Sequence, residues 1–86
     1  MTVIRYTKQF RKNYEKLPTK KQQKVRGAIA LFLNNPRDPS LRLHELRGEL
    51  SGVWSLSADG DLRVHFRYYD DTIVLFLTVG SHSQLY

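Results

Sequence analysis

The stretch that decides the fold is DLRVHFRYYDDTIVLFLTVGSHSQLY, residues 61–86. Its first part alternates between apolar and polar residues, which is typical of a strand with two unlike faces. One face holds Leu62, Val64, Phe66 and Tyr68, and the other holds Arg63, His65 and Arg67. Asp70-Asp71 separates this run from an almost wholly apolar run over residues 72–79, so the pair predicts a β-hairpin. An apolar run of this kind is typical of a strand buried on both faces inside a sheet.

The second strand of this hairpin carries several polar residues to the far end of the sheet. Gly80, His82 and Tyr86 follow its apolar part. Antiparallel pairing returns them to the strand that holds the arginines. Guanidinium groups, an imidazole and a phenol on one surface suit a phosphodiester substrate.

The residues before the hairpin predict one short strand, two helices and one further strand. Residues 2–6 alternate, Thr7 is a predicted N-cap for a helix over residues 8–17, and Pro18 ends that helix. A second helix runs to about Leu33. Both helices carry one-sided apolar stripes, and their short connection predicts an antiparallel helical hairpin. The strand over residues 53–57 then turns at Asp59-Gly60 into the strand that begins at Asp61.

The chain is therefore predicted to be a single α+β domain over residues 1–86, with the order β-α-α-β-β-β. The helical hairpin has to bury its apolar stripe, and one face of the sheet is the only large apolar surface available. We expect the helices on one face of a small, mainly antiparallel four-stranded sheet. The other face, or its rim, is left for Arg63, His65 and Arg67.

The net charge of +6 is concentrated in the first part of the chain. Residues 1–35 hold nine basic residues and one acidic residue, whereas residues 36–86 hold five basic and seven acidic residues. Such a one-signed segment favours a polyanionic partner, and the alternative is a helix face that is merely solvated. All six lysines lie in the first half, and the basic residues after it are all arginines, which suit fixed phosphate contacts.

The composition disfavours several classes of protein. The chain has no cysteine, so it has neither a disulfide framework nor a thiolate metal site. No apolar run approaches the roughly 20 residues that span a bilayer, and the N-terminus lacks the pattern of a signal peptide. We expect a cytoplasmic protein with no membrane partner, metal or cofactor.

Several short motifs carry a resemblance to a known family. They are Leu46-Arg47-Gly48, Gly52-Val53-Trp54-Ser55, Asp61-Leu62-Arg63-Val64-His65-Phe66 and Val79-Gly80-Ser81-His82. In a small basic chain with this order of elements, they resemble the RelE/ParE superfamily of toxins from type II toxin–antitoxin systems. The segments His44–Gly48 and Gly80–Tyr86 are most similar to the YafQ branch of ribosome-dependent mRNA interferases.

The resemblance implies a metal-independent endoribonuclease that cleaves mRNA in the ribosomal A site. The ribose 2′-hydroxyl attacks the adjacent phosphate, the 5′-oxygen leaves, and a 2′,3′-cyclic phosphate forms. The resemblance also implies a cognate antitoxin that wraps the toxin and neutralises it. Within the same fold, the alternatives are a ParE-like inhibitor of DNA gyrase and a non-catalytic member that binds an antitoxin or RNA.

The resemblance and the chemistry of RNA cleavage together assign roles to residues. The predicted catalytic residues are His82, Arg63, Asp61, His44 and Tyr86. His82 transfers a proton, more readily as the general acid, Asp61 is a base or orients His82, and Tyr86 stacks on a base. Arg63 is expected to be exposed and to contact phosphate. The predicted substrate-binding residues are Arg67, His65, Arg47, Lys8, Arg11 and Lys12, and the lysines provide diffuse attachment to ribosomal RNA.

Each role has a structural alternative that the sequence leaves open. Asp61 is also a good turn-capping residue, and His44 is also a good packed or solvated histidine. The arginines are equally suited to ion pairs with Asp59, Asp61 or Asp71. The YafQ branch has a histidine in the turn before the acidic residue, whereas this chain has Ser57-Ala58-Asp59-Gly60. This departure predicts a different acid–base pair or weaker activity.

Overall fold

The computed structural model describes residues 2–85. Its strands are β1 (Val3–Tyr6), β2 (His44–Glu45), β3 (Trp54–Asp59), β4 (Leu62–Tyr68) and β5 (Ile73–Ser81). Its α-helices are α1 (Lys8–Glu15), α2 (Thr19–Asn34) and the single turn α3 (His82–Leu85). Short 3-10 turns over Pro39–Leu41 and Gly48–Leu50 flank β2. No helix within residues 2–85 is long and apolar enough to cross a bilayer.

Thr7 links the start of α1 to β5 through hydrogen bonds. As predicted, Thr7 is the N-cap, and its Oγ1 accepts a hydrogen bond from the Phe10 N–H at 3.0 Å. The same hydroxyl donates to the carbonyl oxygen of Leu77 at 2.7 Å. One side chain therefore satisfies a helix terminus and joins that terminus to β5.

Within residues 2–85, the strands form one sheet in the order β1-β5-β4-β3-β2. β1 runs parallel to β5, and every other pair is antiparallel. β5 contains a bulge at Leu77, since His65 pairs with Thr78 whereas Phe66 pairs with Phe76. The α+β class and the mainly antiparallel sheet are confirmed. The predicted count of four strands was wrong, because the described residues form five.

The strand that the sequence did not predict is β2. It pairs His44 with Ser55 and Glu45 with Trp54, and the Leu46 N–H extends the ladder to the Val53 carbonyl at 2.8 Å. Two residues are too few to show a periodic pattern, so pairing with β3 rather than local sequence creates this strand. His44 thereby lies on the edge strand of the sheet.

The helices bury one face of the sheet through aromatic contacts. Phe32 of α2 packs on Phe66 with ring centroids 5.2 Å apart, and Phe10 of α1 packs on Phe76 at 5.6 Å. Since side chains alternate along a strand, the residues between these point away from the helices. We call this second side the open face, and its members include Arg5, His44, Ser55, Arg63, His65, Arg67, Tyr69 and Leu75.

The two faces of β5 are buried to different extents. Val74, Phe76 and Val79 are buried on the helix side, whereas Leu75 on the open face is only half-buried. The prediction that this apolar run is buried on both faces was therefore wrong for the open face. An apolar floor remains there beside the charged residues of β4.

Candidate active site

The open face brings two of the histidines into one row across the sheet. His44, Ser55 and His65 lie opposite one another on β2, β3 and β4. Because neighbouring strands are about 4.8 Å apart, the Cα atoms of His44 and His65 are about 10 Å apart. Ser55 is buried and His65 is only 4% exposed, while His44 is exposed. A buried and an exposed imidazole therefore lie on either side of a buried hydroxyl.

The surroundings of His65 favour its neutral form. Burial lowers the pKa of His65, and the neighbouring His44 and His82 lower it further by electrostatic repulsion. His65 is thus close to both of the other histidines of the chain. The low exposure of His65 leaves little of its surface for the substrate contact that the sequence predicted.

His44 presents a defined nitrogen to solvent. Its Nδ1 lies 2.7 Å from the carbonyl oxygen of Arg42. A carbonyl oxygen only accepts hydrogen bonds, so Nδ1 carries the hydrogen and Nε2 is the basic nitrogen. Arg42 itself has a positive φ of 48°. The geometry suits His44 to the role of proton acceptor.

His82 begins α3 and is fixed through its backbone by Asp61. The His82 N–H donates to the Asp61 carbonyl oxygen at 2.9 Å and lies 3.3 Å from Asp61 Oδ1. Asp61 therefore positions the main chain at His82.

Gly80 allows α3 to fold back on the sheet. A Cβ atom at Gly80 would lie 3.0 Å from Gln84 Oε1 and 3.5 Å from Leu85 Cδ2. Gln84 Oε1 in turn accepts a hydrogen bond from the Ser81 N–H at 2.8 Å. Because no side chain separates α3 from β5 at this point, His82 is held at the end of the sheet beside β4.

Arg63 is anchored to the turn between β3 and β4. Its Nη1 lies 2.6 Å from the Gly60 carbonyl oxygen, 3.2 Å from Ser57 Oγ and 3.3 Å from the Asp59 carbonyl oxygen. Within residues 2–85 it forms no ion pair, so the alternative of an aspartate partner is not met there. The predicted exposure of Arg63 was wrong, since the residue is half-buried. The guanidinium of Arg63 therefore packs against the turn over residues 57–60, where the YafQ branch has a histidine.

Arg67 lies farther along the same face, over a tight loop. Gly52 has a φ of +88°, and a Cβ atom there would lie 3.0 Å from Arg67 Nη1. Glycine adopts this backbone conformation without strain, so the loop after the second 3-10 turn can approach the guanidinium. Arg67 is exposed, and Arg47, which precedes the same 3-10 turn, is exposed as well.

The remaining predicted residues are not joined to the histidines. Lys8, Arg11 and Lys12 are exposed on α1, which packs on the opposite side of the sheet from the open face. Tyr86 lies outside the described residues. Within residues 2–85, no cluster of three His, Asp or Glu side chains is placed to hold a metal ion. The candidate site therefore consists of His44, His65, His82 and the two arginines of β4.

Comparisons with known proteins agree with this architecture. A family model described as the bacterial toxin of type II toxin–antitoxin system, YafQ, matches residues 2–86. A crystal structure of YafQ from E. coli has a TM-score of 0.80 at 23% identity, covering 100% of this chain and 99% of that chain. The YoeB/ParE toxin from Agrobacterium tumefaciens has a TM-score of 0.75 at 17% identity, with coverage of 95% and 99%.

A third similar structure comes from the RelBE2 toxin–antitoxin complex of Mycobacterium tuberculosis. The TM-score is 0.64 at 30% identity, covering 93% of this chain and 96% of that chain. No curated protein matches the sequence. The resemblance found in the sequence is thus confirmed, and because the family model covers residues 2–86, the chain belongs to the YafQ family of bacterial toxins of type II toxin–antitoxin systems.

Proposed function

We propose that this toxin is an endoribonuclease that cleaves mRNA in the ribosomal A site and thereby inhibits translation. The observation that carries the proposal is the open face, where imidazoles of different exposure lie beside guanidinium groups. Cleavage by the neighbouring 2′-hydroxyl requires a base, an acid and positive charge near the phosphorane. The open face offers all three without a metal.

In the proposed reaction, His44 is the general base and His82 is the general acid. His44 Nε2 takes the proton of the 2′-hydroxyl, which His44 can do because its Nδ1–H faces the Arg42 carbonyl. The 2′-oxygen–phosphorus bond forms while the phosphorus–5′-oxygen bond breaks. Protonated His82 gives its proton to the departing 5′-oxygen, and a 2′,3′-cyclic phosphate remains.

The arginines of β4 stabilise the negative charge of the transition state. Every hydrogen bond that Arg63 makes within residues 2–85 uses Nη1. Its Nη2 and Nε groups are therefore available to phosphate oxygens, and the anchored Nη1 holds the fork in one orientation. Arg67 is exposed four residues farther along the strand and contacts a neighbouring phosphate.

The proposal includes two kinds of macromolecular partner. The DinJ–YafQ complex from E. coli and the RelBE2 complex are similar in fold to this chain and are toxin–antitoxin complexes, which supports a cognate antitoxin here. Lys8, Arg11 and Lys12 lie away from the catalytic face and would attach the toxin to ribosomal RNA in the cytoplasm. Attachment of this kind is electrostatic and weakens with salt.

Induced expression followed by primer extension on a reporter mRNA tests the activity. Wild-type toxin should produce cuts within translated codons, and His82→Ala should remove them. Asp61 holds the backbone N–H of residue 82, so the alanine variant keeps that contact. Ser83→Ala changes the same turn of α3 and should cleave as the wild type does.

One result would overturn the role of His82, and two would overturn the nuclease proposal itself. Undiminished cutting by His82→Ala would remove the general acid from the mechanism. Growth arrest with intact mRNA and blocked DNA replication would instead identify a ParE-like inhibitor of gyrase. Growth arrest with neither effect would leave a non-catalytic binding protein.

A further inference from the structure

The open face extends beyond the histidines to a groove at the hairpin end of the sheet. This groove has a volume of about 210 Å³ and is lined by Arg5, Tyr69, Ile73 and Leu75. Arg5 lies opposite Leu75, and Leu75 lies opposite Arg67. The groove and the histidine row therefore share one surface, with Arg67 between them.

The spacing of residues along β4 gives the distance between the histidines and the groove. His65, Arg67 and Tyr69 occupy alternate positions of the strand and its extension, where the Tyr69 N–H donates to the Ile73 carbonyl at 2.8 Å. Because a strand rises about 3.3 Å per residue, Tyr69 lies about 13 Å from His65. An extended RNA chain seated at the histidines would pass Arg67 and then reach the groove.

The chemistry of the groove fits one nucleotide. Tyr69 is 73% exposed, so its ring offers an open surface for stacking, and Ile73 and Leu75 form an apolar floor. Aromatic side chains beside basic groups are the usual platform for single-stranded nucleic acid. The arginine supplies a charge that complements phosphate.

The carboxylates nearest in sequence to Tyr69 and Ile73 belong to Asp70 and Asp71, which lie in the hairpin turn and do not line the groove. Asp70 Oδ1 accepts hydrogen bonds from the backbone N–H groups of Thr72 and Ile73, each at 2.8 Å, and it also lies 3.0 Å from Thr72 Oγ1. Asp70 is thus engaged within the turn, and Asp71 is exposed beside it. The four residues that line the groove carry a positive charge and no negative one.

We propose that this groove binds a nucleotide of single-stranded RNA that flanks the cleaved phosphate. The base stacks on Tyr69 above Ile73 and Leu75, and Arg5 contacts the adjoining phosphate. This subsite rests on the proposed ribonuclease function and deepens it, because it assigns RNA contacts to the hairpin end and to β1.

Fluorescence anisotropy with the full-length chain tests the subsite. The probe is a fluorescein-labelled RNA hexamer with 2′-O-methyl groups throughout, which lacks the attacking hydroxyl. Tyr69→Ala should weaken binding by about 5- to 100-fold, as expected for the loss of one base stack. Tyr69→Phe keeps the ring and should stay within about twofold of the wild type.

The salt dependence of binding tests the arginine separately. Arg5→Gln should reduce the slope of log K against log salt by about 0.7 between about 50 and 200 mM NaCl, since one phosphate contact is lost. Arg37→Gln removes an exposed arginine from the connector after α2 and should leave the slope unchanged. Circular dichroism of each variant confirms that the fold is retained.

The outcomes separate this inference from the nuclease proposal. Absence of binding by the wild type, or identical titrations for the wild type and Tyr69→Ala, would overturn the subsite even if ribosome-bound mRNA is cleaved. A Tyr69→Ala protein that binds the hexamer normally but loses its antitoxin would assign the groove to the antitoxin and also overturn the subsite. Binding that depends on Tyr69, without any cleavage by the wild type, would support the subsite and refute the nuclease.

Discussion

Replacing Arg63 with alanine is expected to destabilise the protein, in addition to any loss of cleavage. Nη1 of Arg63 is 2.6 Å from the Gly60 carbonyl oxygen and 3.2–3.3 Å from three further acceptors. One nitrogen carries two hydrogens, so two of these contacts are good hydrogen bonds at one time. Charged hydrogen bonds contribute about 1.5–3 kcal/mol when sheltered, and water replaces part of that at a half-buried site. We therefore expect a loss of about 1–2 kcal/mol in the free energy of unfolding.

Thermal unfolding followed by circular dichroism measures this loss. For a chain of this length, about 1–2 kcal/mol corresponds to a fall in Tm of about 5–15 °C. Arg67→Ala is the matched control, because it removes the same charge from the same strand and Arg67 donates no hydrogen bond within residues 2–85. Its stability should change by less than about 0.5 kcal/mol.

Equal Tm values for Arg63→Ala and Arg67→Ala would refute the argument that Arg63 holds the turn. If Arg63→Ala then lost cleavage while its stability was unchanged, the side chain would serve phosphate binding alone. If both stability and cleavage fell, a urea titration at the assay temperature would show whether enough folded protein remained to account for the residual rate.

Three further perturbations follow from the structure. In the folded state, burial lowers the pKa of His65 below its ordinary value of 6.5. The unfolded chain therefore binds a proton first as the pH falls, and the stability of the protein should decrease below about pH 6.5. His65→Gln should make the urea midpoint less dependent on pH, and an unchanged dependence would contradict this. Gly52→Ala should cost about 1–2 kcal/mol because φ is +88°. Gly27→Ala in α2, where the new Cβ meets nothing within 4 Å, should instead gain about 0.5–1 kcal/mol, and urea midpoints that shift in the same direction for both variants would contradict one of the two predictions. Thr7→Ala should cost about 1–2 kcal/mol because it removes the N-cap of α1 and its bond to β5, while Thr7→Ser should retain most of the stability in the same titration.

The order of the elements other than β2 and α3 could be predicted because a strong local signal marks each of them. Alternation in β4 identified its two faces, and Thr7 and Pro18 marked the boundaries of the helices. β2 could not be predicted, because its two residues become a strand only through pairing with β3. The unequal burial of β5 also depends on tertiary structure, since the helices cover one face and not the other.

The candidate site was predicted in its residue types but not in its contacts. The sequence placed Arg63 and His65 on the same face of β4, which the register confirms. It did not indicate that the Arg63 guanidinium folds back onto carbonyl groups of the preceding turn, because a backbone acceptor has no signature in the sequence. The row formed by His44, Ser55 and His65 likewise requires β2 to be recognised as a strand.

The pairing of β1 with β5 has a consequence for how the toxin is made. The Val3 N–H donates to the Thr72 carbonyl at 2.7 Å, and the Thr7 N–H donates to the Phe76 carbonyl at 3.0 Å. Therefore β1, which is synthesised before the other strands, cannot enter the sheet until β5 has been synthesised. A nascent chain cannot assemble the complete surface that carries its histidines while β5 is still unmade, so the candidate site forms only after translation has passed β5.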